Sequence, residues 1–334
     1  MRVSIVGFGV VGKYYLNLIK KKFSFSEIYI VDNIFKEKKV KKKIIFLNFL
    51  EFKKENPLIN YAIICTPSYL HYDYASFFLN RKVPTLIEKP FVLRIDHAKK
   101  LIKLAKKKKT DCLVCLQNRF NKSISFIRKK IISNKIKKVF FVDCFLSWKR
   151  TKKYYQNSWR GKYKTDGGVL VNQAIHLLDI VFHLFGPIKN LNGLQLFNKK
   201  KLDAEDTISL NFYCQKNILI SFKATTRANE DYGVKLDIFA EKKRFLIEGI
   251  SLNKLFFFVG RKKYKFEKFS ETFKDALGSG HTKVLKVFFS KNAYKDDLKI
   301  QKNFYVLKLI HSVYRYLNKE QIFTVEKKQS ILGV

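Results

Sequence analysis

Residues 2–12 read Arg-Val-Ser-Ile-Val-Gly-Phe-Gly-Val-Val-Gly, an apolar run that ends in glycines at 7, 9 and 12. An unbroken apolar run of this length suits a strand buried on both faces. Val10, Tyr14, Leu18 and Ile19 then recur near helical spacing, so a helix follows the glycines. In such a strand–turn–helix the first glycine makes the tight turn and the second lets a pyrophosphate approach the backbone. The third lets the helix pack closely on the strand. The pyrophosphate would meet free N–H groups at the positive end of the helix. Asp32 closes the next strand, EIYIVD, twenty residues past Gly12, where a carboxylate accepts from the hydroxyls of an adenosine ribose. Gly7, Phe8, Gly9, Val10, Val11, Gly12 and Asp32 therefore predict a dinucleotide site; a plain glycine turn in an α/β domain is the alternative. Asp32 repels a 2′-phosphate, which puts NAD ahead of NADP, while Lys36 and Lys38 keep NADP open.

Outward from this turn, strands and helices alternate. KIIFLNF, YAIICTP, VPTLIEKP and DCLVCLQ read as further strands, and YLHYDYASFFLNRK and DHAKKLIKLAKKKK as helices. That rhythm predicts a doubly wound parallel sheet. After Asn118 it changes. FNKSISFIRKKIIS is helical, KKVFFVDCFLSW is a strand, and LVNQAIHLLDIVFHLF reads as one apolar helix. TISLNFYC, NILISFKATT, VKLDIFA, KRFLIEGI and KLFFFVG follow with short polar connections, which predicts an antiparallel or mixed sheet. Helices near 281–290 and 301–317 complete the chain. The expected domains are residues 1–118 and 119–334.

At about 150 residues per domain, 334 residues make two domains. A hydrophobic share of 47% and an aromatic share of 15% exclude a disordered chain. Five cysteines exclude a disulfide scaffold and suit a reducing compartment, the cytoplasm. The longest apolar runs are too short to cross about 30 Å of hydrocarbon. MRVSIVGFGVVG has the look of a signal segment without its small-residue cleavage site. The net charge of +41 admits a nucleic-acid or anionic-membrane partner. Lys outnumbers Arg, though, comes with abundant Phe, Ile, Asn and Tyr, and is spread along the chain. Compositional drift is the preferred account, and no nucleic-acid partner is expected. Cys112 and Cys115 form a CxxC inside a strand, with no second pair or His pair nearby in sequence, so no metal is expected.

Three segments carry chemistry. Glu88-Lys89-Pro90 lies at the carboxyl end of a strand, where ligands bind in open α/β sheets. An ammonium there can reach a substrate hydroxyl. Thr66-Pro67-Ser68 and His71 follow another strand end, where the proline can shape a cofactor-facing loop; His71 either contacts the cofactor or is a helix-start histidine with local hydrogen bonds. Asn172, His176 and Asp179 fall at i, i+4 and i+7, one face of a helix that also carries Gln173. A polar stripe on a buried helix needs partners, and a substrate cleft would supply them. His176 is the natural proton acceptor. His183 reads as a core residue.

GFGVVG, Asp32, TPSYLH, EKP and the GG…NQAIHLLD helix occur in an order that resembles the glucose–fructose oxidoreductase/inositol dehydrogenase/MocA family. The resemblance implies a Rossmann domain and a C-terminal α/β domain whose open, mostly antiparallel sheet mediates homo-oligomers. It implies NAD(P)-dependent oxidation or reduction of a sugar or polyol carbon, with Lys89 and His176 as the catalytic pair. Cofactor contacts would include Thr66, Pro67, His71, Glu88 and Lys89, the last at the nicotinamide end. Many members carry Asp where this chain has Asn172. The Asn172-Gln173 pair, Gln117-Asn118-Arg119-Phe120-Asn121, Trp159-Arg160-Gly161 and Gly280-His281 are instead similar to UDP-N-acetylglucosaminuronate 3-dehydrogenases of surface-polysaccharide synthesis. That subgroup implies oxidation at C3 of a nucleotide-linked sugar. Asn118, Arg119, Arg160, Asn172 and Gln173 would hold the substrate. Asp166-Gly167-Gly168 stands where a third glycine is common, and Trp159 reads as core. A free-sugar or inositol dehydrogenase is the second reading; a non-catalytic dinucleotide sensor is the third.

Overall fold

The apolar runs of the first third become strands buried on both faces. The computed structural model describes residues 1–156, 159–197, 202–273, 277–290 and 295–316. Met1–Cys115 build β1 (Arg2–Val6), α1 (Val10–Lys22), β2 (Glu27–Val31), β3 (Lys39–Lys41), β4 (Ile44–Leu47) and α2 (Phe49–Glu55). They continue with β5 (Tyr61–Ile64), α3 (His71–Asn80), β6 (Thr85–Ile87), α4 (Ile95–Lys108) and β7 (Cys112–Val114). The sheet runs β3-β4-β2-β1-β5-β6-β7. Its pairs are parallel apart from β3–β4. β2 lies on one side of β1 and β5 on the other, so the strand order reverses at β1. The turns after β1, β5 and β6 carry Gly7, Thr66 and Glu88, one at each carboxyl end.

Two elements here differ from expectation. KIIFLNF stops as a strand at Leu47, because Asn48 caps α2. Its side chain accepts from Glu51 N, and the Glu51 side chain accepts from Asn48 N. This capping box is written in the sequence as Asn-x-x-Glu. β3 is a short exposed strand with no apolar pattern.

The single boundary at 118/119 is also corrected. The first unit ends at Cys115, and Leu285–Leu307 belong to it as well. Phe289 packs edge-on against Phe23, Phe25 and Tyr61, Phe288 packs against Tyr61, and Lys299 bridges to Leu113 of β7.

The second unit comprises Leu116–Val284 and residues 308–316. It contains α5 (Lys122–Ile132), β8 (Val139–Ser147), α6 (Lys152–Gln156), α7 (Gly168–Asn172), α8 (Ile175–Phe185), β9 (Ile188–Phe197), β10 (Thr207–Cys214) and β11 (Ile218–Thr225). β12 (Gly233–Ala240), β13 (Lys243–Gly249), β14 (Lys254–Val259) and β15 (Lys262–Lys265) follow. The later helices are α9 (Gly280–Phe289), α10 (Lys295–Leu298) and α11 (Ile300–Tyr316). The second sheet runs β15-β14-β13-β12-β8-β11-β10-β9, and only β8–β11 is parallel. β9, with its Asn and Gly interruptions, and the lysine-rich β15 have no clean alternation, and sequence alone does not announce them.

The long apolar helix is in fact two. Gln173 N and Ala174 N both donate to Val169 O, at 3.1 and 2.8 Å. The ladder widens there by one residue, ending α7 and starting α8. Such widenings gather at functional sites.

Candidate active site

In the first unit the glycine turn is enforced by close approach. A Cβ on Gly12 would lie 2.0 Å from Gly7 O, so the third glycine packs against the turn's own carbonyl rather than a strand side chain. A Cβ on Gly9 would meet nothing within 4 Å, which leaves open space in front of the turn. No side chain caps α1. Its first N–H groups are therefore presented to a ligand. Val10, an apolar residue at that helix end, is 76% exposed. Asp32 Oδ2 accepts from Phe8 N at 2.6 Å and Oδ1 from Ile34 N at 3.1 Å. A carboxylate has about four acceptor positions, so Asp32 both fixes the turn and keeps acceptors for ribose hydroxyls. Lys38 pairs with Glu55 at 2.8 Å, which draws it away from any 2′-phosphate. Thr66 Oγ1 is buried without a hydrogen-bond partner among the described residues, as suits a group left for a ligand. These features fit a dinucleotide.

Two expected cofactor contacts, Glu88 and His71, brace the Lys89 turn. Glu88 is 8% exposed. Its Oε1 accepts from the Tyr15 hydroxyl at 2.7 Å and its Oε2 from Lys89 N at 3.2 Å. The carboxylate thus bolts the Lys89 turn to α1. His71 is 1% exposed. Its Nδ1 lies 2.8 Å from Pro90 O and its Nε2 2.9 Å from Thr66 O. Burial lowers the His71 pKa, against the pull of these two carbonyls. The ring ties Pro90 to the segment after β5 and does not face outward. Lys89 itself is partly exposed. Cys112 and Cys115 are buried thiols outside any disulfide, pushed up by burial.

In the second unit Gly167 and Gly168 have φ +84° and +79°. A Cβ on Gly168 would sit 2.0 Å from Glu205 Oε2. Buried Glu205 holds this turn. Its Oε1 accepts from Leu170 N at 3.1 Å and from the Tyr314 hydroxyl at 2.8 Å, and Tyr314 also reaches Gly167 O at 2.6 Å. Burial pushes the Glu205 carboxyl up to about 7.

The polar stripe finds its partners within the protein. Arg119 grips Asp179 with both arms, Nε to Oδ2 at 2.8 Å and Nη2 to Oδ1, and the two side chains are 7% and 2% exposed. Arg119, expected on the substrate, is half of a buried ion pair. Asn118 is buried too, its Oδ1 accepting from Ser251 Oγ at 3.1 Å. Asn172 donates to Asp166 and to the Tyr154 hydroxyl, and Gln173 donates to Tyr154 at 2.7 Å. Half-buried His183 is not core but is bonded to Arg128 at 2.6 Å, and burial pushes its pKa down to about 2. His176 is partly exposed, and the Gln117 amide nitrogen lies 3.2 Å from its Nε2. With the Gln117 amide nitrogen donating, Nε2 is the accepting atom of the ring and Nδ1 carries its proton. Sequence reasoning missed Gln117 as the orienting group, along with Tyr15, Tyr154 and Glu205.

Two predictions follow from these braces. Arg119→Met leaves Asp179 buried without its cation. It should cost about 3–5 kcal/mol of unfolding free energy, read by urea titration; a loss under 1 kcal/mol would show that the pair is not a structural brace. Glu205 keeps its proton to about pH 7 when folded and to about 4.5 when unfolded. Its contribution is full below 4.5 and is lost as pH rises through 7, a swing of roughly 3 kcal/mol at 1.36 kcal/mol per pKa unit. Glu205→Gln should flatten that part of the stability–pH curve relative to wild type.

Comparison with known proteins agrees with this geometry. Residues 1–115 match the family described as "Oxidoreductase family, NAD-binding Rossmann fold", and residues 124–246 match the GFO/IDH/MocA C-terminal domain. An uncharacterized oxidoreductase of Synechocystis is 25% identical over 58% of this chain and 56% of its own length. A scyllo-inositol 2-dehydrogenase (NADP(+)) of Bacillus subtilis is 25% identical over 48% of this chain and 44% of its own. The chain thus spans about half the length of the curated relatives it matches. The crystal structure of the WlbA dehydrogenase of Bordetella pertussis, in complex with NADH and UDP-GlcNAcA, superposes with a TM-score of 0.80 at 21% identity, covering 96% of this chain and 95% of that one. A levoglucosan dehydrogenase in complex with NADH gives 0.77 at 15% identity, covering 96% and 97%. Both likenesses are likenesses of fold. With both of its domains matched, the chain belongs to the GFO/IDH/MocA family of NAD-binding oxidoreductases.

Proposed function

We propose that this enzyme oxidises a ring hydroxyl, at C3, of a nucleotide-linked sugar, with NAD as its cofactor. NAD, when bound, takes up the hydride. The observation that carries the proposal is the Gln117–His176 contact, because it holds Nε2 as the basic atom of the ring. The substrate hydroxyl displaces the Gln117 amide and gives its proton to Nε2. Asn172 cannot receive that proton onward and is held by Asp166 and Tyr154, so His176 works without a carboxylate relay. The Lys89 ammonium donates to the reacting oxygen, and Glu88 with Tyr15 sets where that ammonium starts from.

The Asn172-Gln173 pair supports a nucleotide sugar, and two structural neighbours were crystallised with UDP-GlcNAcA. The product would feed surface-polysaccharide assembly in the cytoplasm. Phe141 and Phe239 are partly exposed and Phe145 is exposed, all on one face of the second sheet, which supports a homo-oligomer formed through that face. The inositol dehydrogenase among the relatives supports the second reading, a free sugar or inositol.

A turnover panel decides between them. NAD reduction should be fastest with a UDP-sugar; equal or faster turnover of a free sugar or inositol would sink the nucleotide-sugar reading. General-base catalysis contributes about 10²–10⁴-fold. His176→Ala and Lys89→Met should each lower turnover by that order with NAD affinity unchanged, and a variant that keeps half the wild-type rate removes its residue from the mechanism.

A further inference from the structure

Tyr154 of α6 is a meeting point for side chains from separate segments of the second unit. Its hydroxyl accepts from Gln173 at 2.7 Å and from Asn172 at 3.3 Å. Its ring carries two guanidinium groups, Arg160 at 4.3 Å and Arg150 at 5.4 Å from the centroid. Each arginine also lies on an indole, Arg150 on Trp148 at 4.9 Å and Arg160 on Trp159 at 5.3 Å. The chain has two tryptophans, and both stand here.

This arrangement is charged and under-satisfied. Two cations that share one ring repel each other. Arg160 Nε is buried with no hydrogen-bond partner among the described residues, which is costly for a guanidinium N–H. Arg150 reaches Lys149 O at 2.8 Å, but its charge partner Asp231 is 3.6 Å away and Gln173 Oε1 is 3.4 Å away. Asp166, the acid of this region, already accepts from Gly161 N and Asn172. A guanidinium stacked on aromatic faces keeps its edge free for two parallel bonds to an oxyanion. An anion placed there would relieve the repulsion and supply acceptors.

We infer that Arg150, Tyr154 and Arg160 form an oxyanion-reading platform beside Asn172 and Gln173, which makes the enzyme select a sugar that carries phosphate or carboxylate. The inference rests on the proposed sugar-dehydrogenase reading and names the residues that set its substrate class. Arg150 and Tyr154 decide specificity alongside Arg160; none of the three moves a proton.

The test is binding, so it stands apart from turnover. UDP, UDP-GlcNAc, glucuronate and, as the neutral control, glucose are titrated into the full chain with NADH present. Arg150→Met and Arg160→Met should each weaken the anions at least tenfold, about 1.4 kcal/mol, with NADH affinity and glucose binding unchanged. Weakening confined to UDP and UDP-GlcNAc identifies phosphate as the group read, and weakening confined to glucuronate identifies carboxylate. Arg160→Lys keeps the charge and loses the fork, and should recover less than half of the lost affinity. A loss smaller than tenfold for every anion, or an equal loss for glucose, overturns the platform. Should the Met variants fail to fold, anion affinity of the wild type must still fall with rising ionic strength, and a flat response overturns it. Absence of turnover with every UDP-sugar would reject the proposed reaction while leaving a positive binding result in place.

Discussion

The contact of Gly12 with the Gly7 carbonyl governs the first unit. No side chain fits between them, so α1 must leave β1 at one angle, and everything borne by α1 inherits that angle. Tyr15 lies one turn further on. Its hydroxyl meets Glu88, and Glu88 accepts from the backbone of Lys89. The glycine motif is usually read as a phosphate cradle. Here the same close approach also sets the starting point of the lysine proposed to act on substrate. His71 completes the brace from α3, with Thr66 O on one side of its ring and Pro90 O on the other. Cofactor turn and lysine turn are thus one mechanical object, held by the Tyr15–Glu88 hydrogen bond and by a buried His71 ring set between two carbonyls, to one of which its neutral form donates.

The second unit solves a different problem, that of polar groups on an apolar helix. Asp179 is satisfied by Arg119, Asn172 by Asp166 and Tyr154, and His176 meets Gln117. The His176 pairing is neutral and sets the ring against an exchangeable amide. The charged pairing is closed and deep, and its role is to hold the segment after β7 against α8. Partial exposure and a neutral partner set His176, the residue proposed to take the proton, apart from Asp179.

Much of this was legible beforehand because it depends on local chemistry. GFGVVG, Asp32 and the Lys89 turn announce themselves by spacing, and the strands by unbroken apolar runs. What escaped depends on contacts between distant residues. The return of Leu285–Leu307 to the first unit rests on Phe288 and Phe289 meeting rings far away in sequence. The split of α7 from α8 rests on one carbonyl shared by two N–H groups. Glu205 has no motif at all. Two misses did leave a trace. An Asp in so apolar a helix demands a buried cation, and Arg119 was the cation already singled out. Trp148 and Trp159 each stand within two residues of an arginine, a pairing that a chain with two tryptophans does not produce idly.

The same division explains how a net charge of +41 coexists with an ordered interior. Arginine, the minority cation, takes the interior and structural carboxylates with both arms, as Arg94 does with Asp96, Arg119 with Asp179 and Arg244 with Asp237. Its planar fork matches a carboxylate and is weakly hydrated, so it survives burial. Lysine is left mostly to the surface. Its pairs with Glu55, Glu37, Glu248 and Glu267 are partly or fully exposed, and such pairs contribute about 0–1 kcal/mol. Adding or removing a surface lysine therefore changes the total charge and barely changes the fold. A drifting composition can accumulate lysines there without penalty to the core. The two arginines that share the Tyr154 ring are a different case, and they, not the lysine excess, carry the proposed anion selectivity.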